Sequence, residues 1–226
     1  MKHALLLIVL AGSLLAYSQT STPAPAADLL SGRIKGVVTD QEGKPVAGAT
    51  VYAVPQGTFF EDIAWRSIKT DRNGRFDFRG GFELEAYKLY ARKDEDDYPD
   101  PLDSFYADSK AEPLKVDLTK DPVATADVKL GERAGVLAGR VVDADTGTVL
   151  QARLYFYDEQ GHFHSVESGP DGRYRVLLPP GKDVSMMVRV KSSSDVSRLR
   201  LAPLRLEPEQ YVYMDIPLPK RPAPEQ

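Results

Sequence analysis

The chain has 226 residues, no cysteine, and 29 basic against 33 acidic side chains, for a formal net charge of -4. That balance offers no electrostatic footprint for nucleic acid or anionic lipid. Without cysteine there are no disulfides, no thiolate metal sites and no lipid-modified cysteine, so an exported fold of this composition is held by its apolar core alone.

Met1-Lys2-His3 precedes an apolar run from Ala4 to Leu15, followed by Ala16-Tyr17-Ser18 before Gln19. A short positive start, an apolar stretch and small residues at the cleavage point describe a secretory signal over residues 1–18. The run is shorter than the ~20 residues a spanning helix needs. No later stretch is apolar enough to span, so no transmembrane segment is expected after cleavage. Residues 19–32 form a linker rich in Thr, Ser, Pro and Ala, and residues 220–226 a Pro-rich tail.

Between them the chain contains one unit twice. Thr70-Asp71-Arg72-Asn73-Gly74-Arg75-Phe76-Asp77-Phe78 is echoed by Gly169-Pro170-Asp171-Gly172-Arg173-Tyr174-Arg175-Val176. Asn-Gly or Asp-Gly followed by alternating side chains predicts a β-hairpin in each copy. Upstream, Gly36-Val37-Val38-Thr39-Asp40, a Gly43 turn and Ala49-Thr50-Val51-Tyr52 match Gly139-Arg140-Val141-Val142-Asp143, a Gly147 turn and Ala152-Arg153-Leu154-Tyr155. With Leu178-Pro179-Pro180-Gly181 in the second copy, this order resembles the carboxypeptidase regulatory-like domain. The resemblance implies two tandem, all-β, Greek-key sandwiches of the transthyretin (prealbumin) type, at residues 33–131 and 136–219, and a non-catalytic role. One such sandwich hosts many unrelated functions.

In the first unit, Ala49 to Val54 alternates as a half-buried strand should. The insertion after it carries Phe59 and Phe60, which either cap the sandwich or, with Tyr98, offer an aromatic patch for a glycan or peptide. Trp65 aligns with Phe163, and equivalent large aromatics in both copies predict core filling. Asp94, Glu95, Asp96, Asp97, Asp100 and Asp103 then crowd into ten residues. Such a loop is either a solvated face or a calcium site, since Ca²⁺ accepts six to eight oxygens from a flexible loop. Asp96, Asp97 and Asp100 are the candidate ligands, although the spacing is not that of an EF-hand. No cofactor other than calcium is suggested, and none is required. Ser104-Phe105-Tyr106 is expected to pin this loop onto the sandwich, and Gly131 to Gly135 is a joint short enough to restrict the two units.

In the second unit, His162-Phe163-His164 puts two imidazoles on one face of a strand. That spacing suits Zn²⁺ or Cu²⁺ if other ligands converge; the repeat instead places both histidines toward solvent, opposite a core Phe163. Arg198, Arg200 and Arg205 among leucines form a basic, apolar edge able to meet the acidic loop or a partner. No Gly-x-Ser-x-Gly elbow, P-loop or dinucleotide fingerprint is present. Transthyretin-like hydroxyisourate hydrolases end in Tyr-Arg-Gly-Ser, which this chain lacks. It also lacks the paired Tyr and His iron ligands of intradiol dioxygenases and the zinc ligands of a metallocarboxypeptidase. Carboxylate-pair chemistry stays open. The expectation is an exported, non-catalytic binding, spacer or scaffold module of the bacterial envelope, in the periplasm, at the cell surface or outside the cell, meeting a protein or glycan along its sheet edges. The alternatives are a carbohydrate-binding module and a small hydrolase using His162 or His164.

Overall fold

The computed structural model describes residues 32–56, 66–83, 85–108, 111–190 and 198–219. The expected signal, nearly all of the linker and the tail lie outside these residues, as do Phe59, Phe60 and Trp65. The chain forms two β-sandwiches, each of two four-stranded sheets. The first contains β1 (Gly32–Thr39), β2 (Thr50–Pro55), β3 (Arg66–Lys69), β4 (Arg75–Phe82), β5 (Ala86–Arg92), β6 (Leu114–Asp117), β7 (Val123–Thr125) and β8 (Val128–Lys129). The second contains β9 (Gly135–Asp143), β10 (Ala152–Tyr157), β11 (Phe163–Glu167), β12 (Arg173–Leu178), β13 (Asp183–Val190), β14 (Arg198–Arg205), β15 (Tyr211–Tyr213) and β16 (Ile216–Leu218). Among the described residues, no helix is long and apolar enough to cross a membrane.

The repeat holds strand for strand. One sheet of the first unit has the order β4-β1-β7 with β8 also on β1, and the other β3-β2-β5-β6; the second unit has β12-β9-β15 with β16 on β9, and β11-β10-β13-β14. Even the register recurs, since Thr50 faces Lys69 where Arg153 faces Glu167. Each core lies between its two sheets, with Ile34, Val51, Phe78 and Leu89 in the first and Leu137, Leu154, Phe156 and Val188 in the second. Phe76, Phe78, Phe82 and Tyr87 form an edge-to-face chain in the first core, with successive centroids 5.9, 5.4 and 5.0 Å apart.

Two glycines fix how each unit closes. A Cβ on Gly36 would lie 1.8 Å from the Ala126 carbonyl oxygen, and one on Gly139 1.9 Å from that of Met214. Both carbonyls sit where the closing strand breaks in two. At each break an aspartate takes over a ladder position: Asp127 accepts from the Val37 amide at 3.1 Å, and Asp215 from the Arg140 amide at 2.8 Å.

Three expectations are corrected. The Gly74 and Gly172 turns do not make hairpins, because β3 pairs with β2 and β4 with β1, and likewise in the second unit. The turn carries the chain from one sheet to the other. Asp71 holds it by accepting from the Asn73 and Arg75 amides, and Gly74 supplies a φ of 72°. β2 is buried on both faces, because Tyr52 and Val54 pack with Tyr90 and Leu102 beneath the acidic loop. Phe163 is 60% exposed rather than in the core. His164 stands opposite Phe156, so it is the histidine that shares the inward face.

Candidate functional site

The acidic loop following β5 is the point where the two units meet. It opens with a 3-10 turn at Asp94–Asp96, closed by Asp97 in the left-handed conformation (φ 68°). A second 3-10 turn, Ser104–Tyr106, begins where the Asp103 side chain accepts from the Phe105 amide at 2.9 Å. These turns splay the carboxylates apart. Asp96 pairs with Lys93 at 2.6 Å, Asp100 with Arg92 at 2.6 Å, and Asp97 with Arg175 of the second unit. Asp103 meets His164 at 2.9 Å, and Asp108 pairs with Lys182. The three candidate calcium ligands therefore face three different cations. Among the described residues, no three His, Asp or Glu side chains gather in a way that could hold a metal. Burial pushes the Asp94 carboxyl up despite Arg92. Burial also acts upward on Asp103, but hydrogen bonds from His164 and the Phe105 amide outweigh it and leave the carboxyl below its ordinary range.

Between Asp103 and Asp108 the loop enters the second unit. Phe105 is 0% exposed and belongs to that unit's core, its ring stacked on His164 at 5.8 Å and 20°. Tyr106 donates its hydroxyl to the Leu177 carbonyl at 3.0 Å, and burial holds its phenol far above the ordinary value. His164 lies on β11 and Leu177 on β12, so the two aromatics sit at the seam between the second unit's sheets. Behind them the Ala134 amide donates to the Asp97 carbonyl at 2.8 Å, and the Arg133 guanidinium lies 5.1 Å over the Tyr98 ring. Tyr98, expected on an exposed aromatic patch, is only 4% exposed and serves the joint instead.

The His-x-His pair divides its partners. His162 Nδ1 lies 2.9 Å from buried Asp158, whose other oxygen accepts the His162 amide at 2.8 Å. Burial alone would push Asp158 up, yet these hydrogen bonds bring it below its ordinary value. His164 faces Asp103 across the joint, so it is not turned to solvent as the repeat suggested. Among the described residues, Arg200 and Arg205 of β14 form no ion pair with the acidic loop; Arg175, His164 and Lys182 do. One sequence signal pointed there. By register Arg175 replaces Asp77, whose carboxylate pairs with Arg33 and Arg79 within the first unit. The charge reverses between the copies, and the second unit's arginine reaches across.

Two outer surfaces stand out among the described residues. On the first unit, an open depression of about 680 Å³ is lined by Lys35, Lys69 and Arg75 together with Asp71, Asp77 and Asp127. On the second, Phe163 and Tyr157 stand on the outer face of the β11-β10-β13-β14 sheet, ring centroids 6.3 Å apart. A depression of about 450 Å³ beside them is lined by Tyr157, Ser185, Met187 and Arg200 at the β13–β14 bulge.

No curated protein sequence matches the chain. Among solved structures, the Bacillus anthracis TIE protein is 14% identical, with 84% of this chain covering 34% of that one at a TM-score of 0.36. A streptococcal ancillary pilin is 20% identical over 87% of this chain and 64% of its own (TM-score 0.35), and the minor pilin of Streptococcus agalactiae is 14% identical over 87% and 99% (TM-score 0.38). The chain thus spans about a third of the first of these and under two thirds of the second. Residues 33–95 match the family model described as the carboxypeptidase regulatory-like domain, so the first sandwich, whose strand order the second repeats, carries that family's pattern up to the acidic loop.

Proposed function

We propose that this is an exported, non-catalytic module in which two regulatory-like sandwiches are locked at a fixed relative orientation to act as a spacer and binding element of the bacterial envelope. The observation that carries this reading is the loop Asp94–Asp108, whose Leu102 packs on the first unit while Phe105 lies in the core of the second. A joint that shares core residues between units holds orientation, whereas a flexible linker would not. The signal-like residues 1–18 support export. The placement of His162 and His164 supports the non-catalytic part, since the first braces a turn with Asp158 and the second is stacked on Phe105 within the joint.

Calcium would have to displace Lys93, Arg92 and Arg175 from Asp96, Asp100 and Asp97 to occupy this loop. Small-angle scattering of the mature chain tests the spacer reading. One compact-jointed conformer is expected, and Phe105→Ala should broaden the distribution of separations. A broad ensemble in the unaltered chain would overturn it.

A further inference from the structure

The outer face of the β11-β10-β13-β14 sheet has a composition its position does not require. Period-two alternation puts Leu154, Phe156, Met186 and Val188 into the core and turns Tyr155, Tyr157, Met187 and Arg189 outward. Register then aligns these residues in rows across the sheet. Tyr157 lies between Phe163 and Ser185, and Met187 between Tyr155 and Arg200. One end of the face is thus aromatic, and the side toward β14 is cationic. Phe163 is 60% exposed, more than packing on a neighbour explains. Arg189 and Arg200 are exposed, and among the described residues neither makes an ion pair, although the chain as a whole is acidic. Arg153, by contrast, is occupied by Glu167. The depression beside Tyr157 and Arg200, about 450 Å³, falls within the roughly 300–1,000 Å³ of small-ligand clefts.

Flat aromatic rings bind the apolar faces of sugar rings, and guanidinium groups bind carboxylates with paired donors. A partner with both features alternating along an extended chain is a polymer of uronic acids. We propose that this face binds an acidic polysaccharide, its sugar rings on Tyr157 and Phe163 and its carboxylates on Arg200 and Arg189. The site is separable from the joint between the units, since Phe163 and Tyr157 stand on the outward face of the sheet while the acidic loop meets His164 on the inward face of β11.

The test is affinity electrophoresis of the full mature chain in gels containing polygalacturonate, alginate, dextran or polyglutamate. Retardation by at least one uronate polymer and not by dextran or polyglutamate is expected. Phe163→Ala, Tyr157→Ala and Arg200→Ala should each weaken it at least ten-fold with an unchanged circular dichroism spectrum, and Arg200→Lys should retain part of it. The proposal is overturned if neither uronate polymer retards the chain, or if dextran does so equally. Equal retardation by polyglutamate would show that charge alone acts and would overturn it as well, as would variants that bind like the parent. Loss of scattering rigidity with retained binding would strike only the spacer reading.

Discussion

Gly139 illustrates what single positions decide. The first strand of the second unit passes so close to the Met214 carbonyl that a methyl group has nowhere to go. Gly139→Ala should cost about 3 kcal/mol, the upper range for overpacking, lowering the melting midpoint by roughly 10 °C or more; calorimetry would read it. Thr70 and Ser168 are the buried polar counterparts of the two units. Thr70 Oγ1 accepts from the Ala49 amide at 2.9 Å and donates to the Val46 carbonyl at 2.7 Å, while the Ser168 hydroxyl reaches the Leu150 carbonyl at only 3.4 Å. Thr70→Ala should therefore destabilise by about 1–3 kcal/mol, and Ser168→Ala by less, in urea unfolding. Asp103 has a carboxyl lower in the folded state than in the unfolded one. Its contribution is present above the unfolded value of ~3.9 and is lost as pH falls through the lower folded value. Acid titration followed by intrinsic fluorescence should show the joint loosening in that window, and Asp103→Asn should remove that part of the pH dependence.

Among the elements, the acidic loop departs furthest from its appearance in the sequence. The strands were legible because alternation and turn residues are local, and the repeat allowed one copy to check the other. The loop's partners were not, because Arg175, His164 and Lys182 lie between 61 and 78 residues away in the chain from the carboxylates they meet. The turn at Gly74 misled for a related reason: its residues specify a reversal, but which strand receives the ladder is settled by long-range pairing with β1 and β2. Phe163 was misplaced by the analogy with Trp65, whereas its partner across the sheet is the outward Tyr157, and it is His164 that stands opposite the buried Phe156 on the inward face. Phe105→Ala should lower the stability of the second unit by about 3–5 kcal/mol, as for a buried Phe, although the residue is contributed by the first unit's loop. Urea unfolding should then resolve two transitions where the parent shows a more concerted one, and a single unshifted transition would contradict the shared core.

For the whole molecule, the ion pairs of the loop bear on calcium. Lys93, Arg92 and Arg175 already neutralise Asp96, Asp100 and Asp97, so millimolar calcium is expected to leave the melting midpoint where chelator leaves it; a rise would mean that the ion binds the folded chain in their place. The pairing of first and last strands has a mechanical consequence. β1 lies parallel to β7 and β8, and β9 parallel to β15 and β16. Tension applied at the two ends of either unit pulls these neighbours past one another along their length, loading their hydrogen bonds together in shear instead of unzipping them one at a time. Resistance to pulling is governed by the unfolding barrier, and this geometry raises it for each unit separately. Stretched in an optical trap, the chain should hold until one sandwich gives way abruptly, a property suited to a link that bears load.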